Sequence, residues 1–75
     1  MTLWEINEGQ QVKITGIILL NNTLRIRLHD LGFRLNATVT CDTVPTLGAP
    51  RLYRICSTTF ALEREVAEAF VVEVL

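Results

Sequence analysis

Residues 28–41 read LHDLGFRLNATVTC, and a change of period inside this stretch decides the fold. Leu24, Leu28 and Leu31 recur at i, i+4 and i+7, the spacing that lines up one apolar stripe on a helix. The pattern halts at Gly32. By Ala37 the period is two, with Ala37, Val39 and Cys41 alternating against Thr38, Thr40 and Asp42, as in a half-buried strand. Glycine supplies the left-handed position just past a helix end without strain at Cβ. Asn36 tolerates a similar positive φ better than most residues. The helix therefore plugs one end of a sheet, and Gly32 turns the chain straight back into that sheet.

Working outward, Asn21 or Asn22 offers a side-chain oxygen to cap the helix start, which places the helix at about residues 22–31. Before it, Val12 and Ile14 alternate with Gln11, Lys13 and Thr15 as a first strand. Gly16 sits where this alternation breaks into the apolar run IILL at 17–20, a place suited to a bulge or sharp bend. After the Thr-rich strand, VPTLGAP at 44–50 holds two prolines and a glycine and reads as a loop. LYRICS and TTFAL read as a third and a fourth strand, and FVVEVL as the last. Leu62, Val66, Ala69 and Phe70 fall at helical spacing near 63–69, with Glu63 and Glu65 placed favourably for the helix dipole. The expected order is β, α, β, β, β, short α, β. Some five short strands in so small a chain point to a mostly β fold, a small closed barrel without exposed edges.

The 75 residues amount to one domain, 1–75. A chain this short buries only ~60% of its unfolded surface, against roughly 100 kcal/mol of conformational entropy. Apolar types make up 49% of it, enough for one core with little left for a deep substrate cavity. Formal charge is −1, from seven basic and eight acidic residues, without a long single-sign block. The electrostatic footprint of a nucleic-acid binder is missing, so Arg25, Arg27 and Arg34 read as a solvated face and no nucleic-acid partner is expected. No apolar run is long enough to cross a bilayer, and MTLWEINEGQ has the character of no signal peptide. A cytoplasmic protein without membrane insertion is expected, with Cys41 and Cys56 as reduced, partly buried thiols.

Sites for chemistry are sparse. The sequence has no P-loop, GxSxG or HExxH, and its glycines at 9, 16, 32 and 48 are too scattered to cradle a phosphate. His29 is the only histidine. A metal set drawn from His29, Asp30, Cys41, Asp42 and Cys56 lacks ligand spacing: the cysteines lie on different strands, and adjacent helix residues point about 100° apart. Asp42 and Glu73 show no pairing for acid–base work. Neither catalysis, a cofactor nor a metal is expected. Phe60 and Phe70 sit in apolar-patterned segments that belong to the core, and Trp4 with Tyr53 alone makes no groove for proline-rich peptides.

What remains is surface. On the helical wheel Ile26 lies about 160–200° from the leucine stripe and faces solvent beside His29 and Asp30. In the proline-rich loop, Leu47 either folds under to cap the barrel or presents itself to a partner.

These segments, in this order, resemble the FeoA family of small ferrous-iron transport proteins over nearly the whole chain. The residues that carry the resemblance are Leu28, Leu31, Gly32 and Phe33 in LHDLGF, then Val39, then Leu47, Gly48 and Pro50 in TLGAP. Ala61, Leu62, Ala67 and Phe70 in FALEREVAEAF complete it. The resemblance implies an SH3-like β-barrel with a helix inserted after the first strand. It also implies a non-enzymatic cytoplasmic accessory protein that binds FeoB, the membrane transporter with a GTPase domain, and modulates its assembly or GTP-linked activity. Asn36 stands where the family commonly has glycine, Ala49 where it has aspartate, Glu63 where a basic residue is common, and Ser57 where glycine is frequent. The expected partner-binding residues are Ile26, Leu47, Gly48 and Pro50. The rival reading is a metal- or ligand-sensing domain similar to the C-terminal SH3-like domain of iron-dependent repressors, and a third is weak self-association.

Overall fold

In a computed structural model of the chain, residues 1–19 and 21–75 are described. Leu20, the end of the apolar run 17–20, lies outside the described residues. A 3-10 turn at Leu3–Glu5 precedes β1 (Gln11–Ile17), α1 (Asn22–Asp30), β2 (Thr38–Thr43), β3 (Arg51–Ile55), β4 (Thr58–Leu62), α2 (Arg64–Ala67) and β5 (Phe70–Val74). The expected order holds, and the opening 3-10 turn is added to it. All neighbouring strands are antiparallel, in the order β4-β3-β2-β1-β5. Val12 and Ile14 point inward with no exposed surface, as do Val39 and Cys41 on β2. The register of β1 against β5 slips between Ile14 and Gly16, which is the expected bulge. There the strands press close, for a Cβ on Gly16 would stand 3.4 Å from the Cβ of Val71.

Asn21 caps α1, its Oδ1 accepting from the Leu24 N–H at 3.0 Å. The other end closes as a Schellman motif. Gly32 takes φ +113°, its N–H donates to the His29 carbonyl at 3.0 Å, and the Phe33 N–H donates to Leu28 at 2.9 Å. The leucine stripe is only partly as expected. Leu28 is buried and Leu24 packs on the core, but Leu31 is 43% exposed. Leu31 is the C-cap, and the turn at Gly32 carries Phe33 into the inward place instead.

The hydrogen-bonded ladder ends at β4 on one side and β5 on the other, so it does not close the barrel as expected. Side chains bridge the gap. Phe33 lies 5.5 Å from Phe60 of β4, edge to face, and 5.6 Å from Phe70 of β5. The outer edge of β5 is covered in part by the N-terminus, where Val72 donates to the Met1 carbonyl at 2.9 Å and Thr2 bridges Val71. The helix expected near 63–69 shrinks to the single turn Arg64–Ala67 because Leu62 is still paired with Arg51 and Phe70 already opens β5. Cys41 is buried, whereas Cys56 is exposed in the β3–β4 turn, which corrects the expectation of two partly buried thiols. Cys56 takes the left-handed conformation (φ 55°), and Ser57 after it does not.

Tyr53 is fully buried, and its hydroxyl donates to the Leu3 carbonyl at 2.8 Å, tying β3 to the 3-10 turn. Burial is the main cause that pushes its phenol up to about 12, and burial likewise raises the Cys41 thiol. An acid whose folded pKa is raised stabilises the fold below its ordinary pKa and loses that contribution as pH rises through the folded value. Tyr53→Phe leaves the Leu3 carbonyl unpaired and costs about 1–3 kcal/mol at neutral pH. The advantage of the wild type should then shrink between about pH 10 and 12. Urea titrations of both proteins across that range check the prediction.

Candidate functional site

The loop between β2 and β3 is pinned at both ends. At its start the Val44 N–H donates to Glu8 Oε1 at 2.8 Å. At its exit the Arg51 guanidinium lies over the Trp4 ring, 4.2 Å from the centroid, and donates to the carbonyls of Trp4 and Ile6. Cation–π contact and charge-assisted hydrogen bonds from one side chain fix the loop to the 3-10 turn. Neither anchor was legible in sequence, because each joins residues more than thirty positions apart with no local signature.

Between these anchors the chain makes a tight turn. The Ala49 N–H reaches the Thr46 carbonyl at 3.5 Å, and Leu47 and Gly48 take φ of 59° and 72°. Two successive positive φ values at the centre of such a turn are the signature of type I′, which favours Asn, Asp or Gly at its first centre. Here that position is a leucine, and its side chain is 102% exposed. A left-handed non-glycine residue costs on the order of 1–2 kcal/mol. Nothing in the fold repays this cost through burial of the side chain. Leu47 therefore does not fold under to cap the barrel.

Gly48 and Pro50 line a shallow cleft of about 310 Å³ together with Glu63, Arg64 and Glu65 at the start of α2. Arg64 is held there by Glu68 at 3.4 Å and stands 5.9 Å from the Trp4 ring. The structure thus groups Leu47, Gly48 and Pro50 on one loop with a polar rim from α2. Ile26 is 62% exposed on α1, as the wheel places it, but lines neither this cleft nor the cavity beside α1. His29 and Asp30 approach only to 3.9 Å in the open, Cys41 is buried and Cys56 lies on a turn. Among the described residues, no three of His, Cys, Asp and Glu stand together as a metal site. No helix among them is long and apolar enough to cross a membrane.

The FeoA domain model matches residues 1–74. This chain belongs to the FeoA family. The FeoA protein of Chlorobium tepidum superimposes with a TM-score of 0.91 at 27% identity, over 100% of this chain and 70% of that one. The FeoA of Stenotrophomonas maltophilia, crystallised with zinc, gives 0.83 at 28% identity over 97% and 89%. That protein is described as a prokaryotic SH3 domain proposed as a ferrous iron transport activating factor. Iron(II) transport protein A of Clostridium thermocellum shares the fold, with a TM-score of 0.91 at 24% identity, and this chain spans 46% of its length. A comparison with curated proteins gives no match. The mostly β, five-stranded SH3-like fold with its inserted helix is that of the FeoA structures.

The strain at Leu47 has a thermodynamic consequence. Leu47→Gly relieves it without removing any buried contact, and the gain is offset in part by glycine's greater unfolded-state entropy. The variant should be more stable by about 0.5–1 kcal/mol. Chemical denaturation at equal m-value measures the difference.

Proposed function

We propose that this FeoA-family chain is a non-enzymatic cytoplasmic accessory protein of ferrous iron uptake. It binds the FeoB-type transporter and modulates its assembly or GTP-linked activity. The observation that carries the reading is Leu47: an apolar side chain held fully exposed, in a strained conformation, on a loop pinned at both ends. Strain that lowers stability and yields no internal contact points to a residue retained for what it touches outside the fold. Gly48 permits the turn, and next to Leu47 in the chain Gly48 lines, with Pro50, a shallow cleft whose other walls are the charged residues Glu63, Arg64 and Glu65, a polar setting for a binding anchor. Ile26 supplies a second apolar contact from α1.

Burying one leucine at an interface contributes about 1.5–3 kcal/mol, or at least roughly tenfold in affinity. Leu47→Glu should keep the wild-type circular dichroism spectrum. It should weaken capture of the transporter's cytoplasmic domain by at least about tenfold, with and without guanine nucleotide, and lower transporter-dependent iron uptake. Ile26→Glu should lower both to a smaller extent. Normal capture and uptake by both variants at normal abundance would remove the proposed contact surface.

A further inference from the structure

A second concavity lies away from the Leu47 loop. It is a cavity of about 410 Å³ at the C-terminal half of α1, and its size is that of sites for small organic ligands. Its walls are of two kinds. Ile17 and the exposed Leu35 provide apolar surface, together with the buried Phe33 and Phe70. Arg25, His29 and Arg34 supply all the ionisable groups of the lining, and no acidic residue takes part in it.

These polar groups are positioned rather than scattered. Arg25 and His29 are one turn apart on the same face of α1. Arg34 is fixed beyond the helix end, where its Nε donates to the His29 carbonyl at 2.9 Å, leaving its Nη groups free of that bond. The same carbonyl accepts from the Gly32 N–H at 3.0 Å, so the Arg34 side chain is tied to the turn that ends α1. Among the described residues the Arg25 side chain has neither an ion pair nor a hydrogen bond in the fold. Two guanidinium groups beside an apolar recess suit a planar anion, which arginine binds through paired N–H donors.

We propose that this cavity is a binding site for a small molecule that joins one carboxylate to an apolar body. The carboxylate sits between Arg25 and Arg34, and the apolar body lies against Ile17, Leu35 and the phenylalanines of the lining. The site shares no residue with the Leu47 loop or its cleft and does not depend on the transporter contact.

Octanoate is the probe, with octanol and octylammonium as matched controls, in amide chemical-shift titrations of the uniformly labelled protein. Octanoate should shift resonances of residues 25–35 and 70 saturably, octanol should bind at least about tenfold more weakly, and octylammonium should not bind there. Arg25→Gln, at an exposed helix position with no partner to lose, should keep the rest of the spectrum and weaken octanoate by about tenfold. Leu35→Asn should weaken octanoate and octanol alike. Equal affinity for octanoate and octanol, shifts centred elsewhere, or an unchanged affinity in Arg25→Gln would overturn the proposal. So would shifts produced by phosphatidylglycerol vesicles but not by octanoate, which would make the cavity a membrane contact.

Discussion

The fold rests on one aromatic wedge. A five-stranded antiparallel ladder that starts at β4 and ends at β5 leaves a gap, and Phe33 occupies it between Phe60 and Phe70. The ring is 1% exposed, so its burial contributes fully, and edge-to-face contact adds to the area term. Gly32 makes this placement possible. Its φ of +113°, two residues past the end of α1, aims the chain inward at Phe33, with the two Schellman bonds holding the turn. A helix, a turn and a barrel seam are thus parts of one device.

A rigid barrel in turn allows strain to be carried at its surface. Arg51 reaches back to the 3-10 turn through the Trp4 ring and two carbonyls, and Glu8 holds the other end of the loop. The left-handed Leu47 persists because these anchors fix its neighbours, not because the leucine packs on anything. Local strain of about 1–2 kcal/mol is tolerable only where the surrounding structure over-determines it. The sense in which this FeoA-family surface is built therefore differs from one face of the barrel to another. The loop displays an apolar residue, and the cavity beside α1 is lined by apolar residues together with Arg25 and Arg34.

Much of this could be read from the chain, for identifiable reasons. Alternation in β1 and β2, the Asn21 cap, the Gly32 stop and the Gly16 bulge are local signals, and each appears where its chemistry demands. The exposure of Ile26 followed from helical geometry alone. Leu31 misled because helical periodicity assumes that the helix continues, and here it had ended one residue earlier. The 63–69 helix was overextended because Leu62 and Phe70 are apolar for the sake of strands, which periodicity does not distinguish. Closure of the seam by Phe33, the Arg51 anchor and the packing of Ile17 and Phe70 beside Arg25 and Arg34 all depend on contacts between distant segments. A single sequence carries no mark of those.

The wedge is tested most directly by native-state hydrogen exchange on Phe33→Leu, which keeps an apolar side chain but removes both aromatic contacts. If Phe33 holds the seam, amides of β4 and β5 lose protection together, while those shared by β1, β2 and β3 keep a higher opening free energy. Wild-type protection throughout β4 and β5 in that variant would contradict the account.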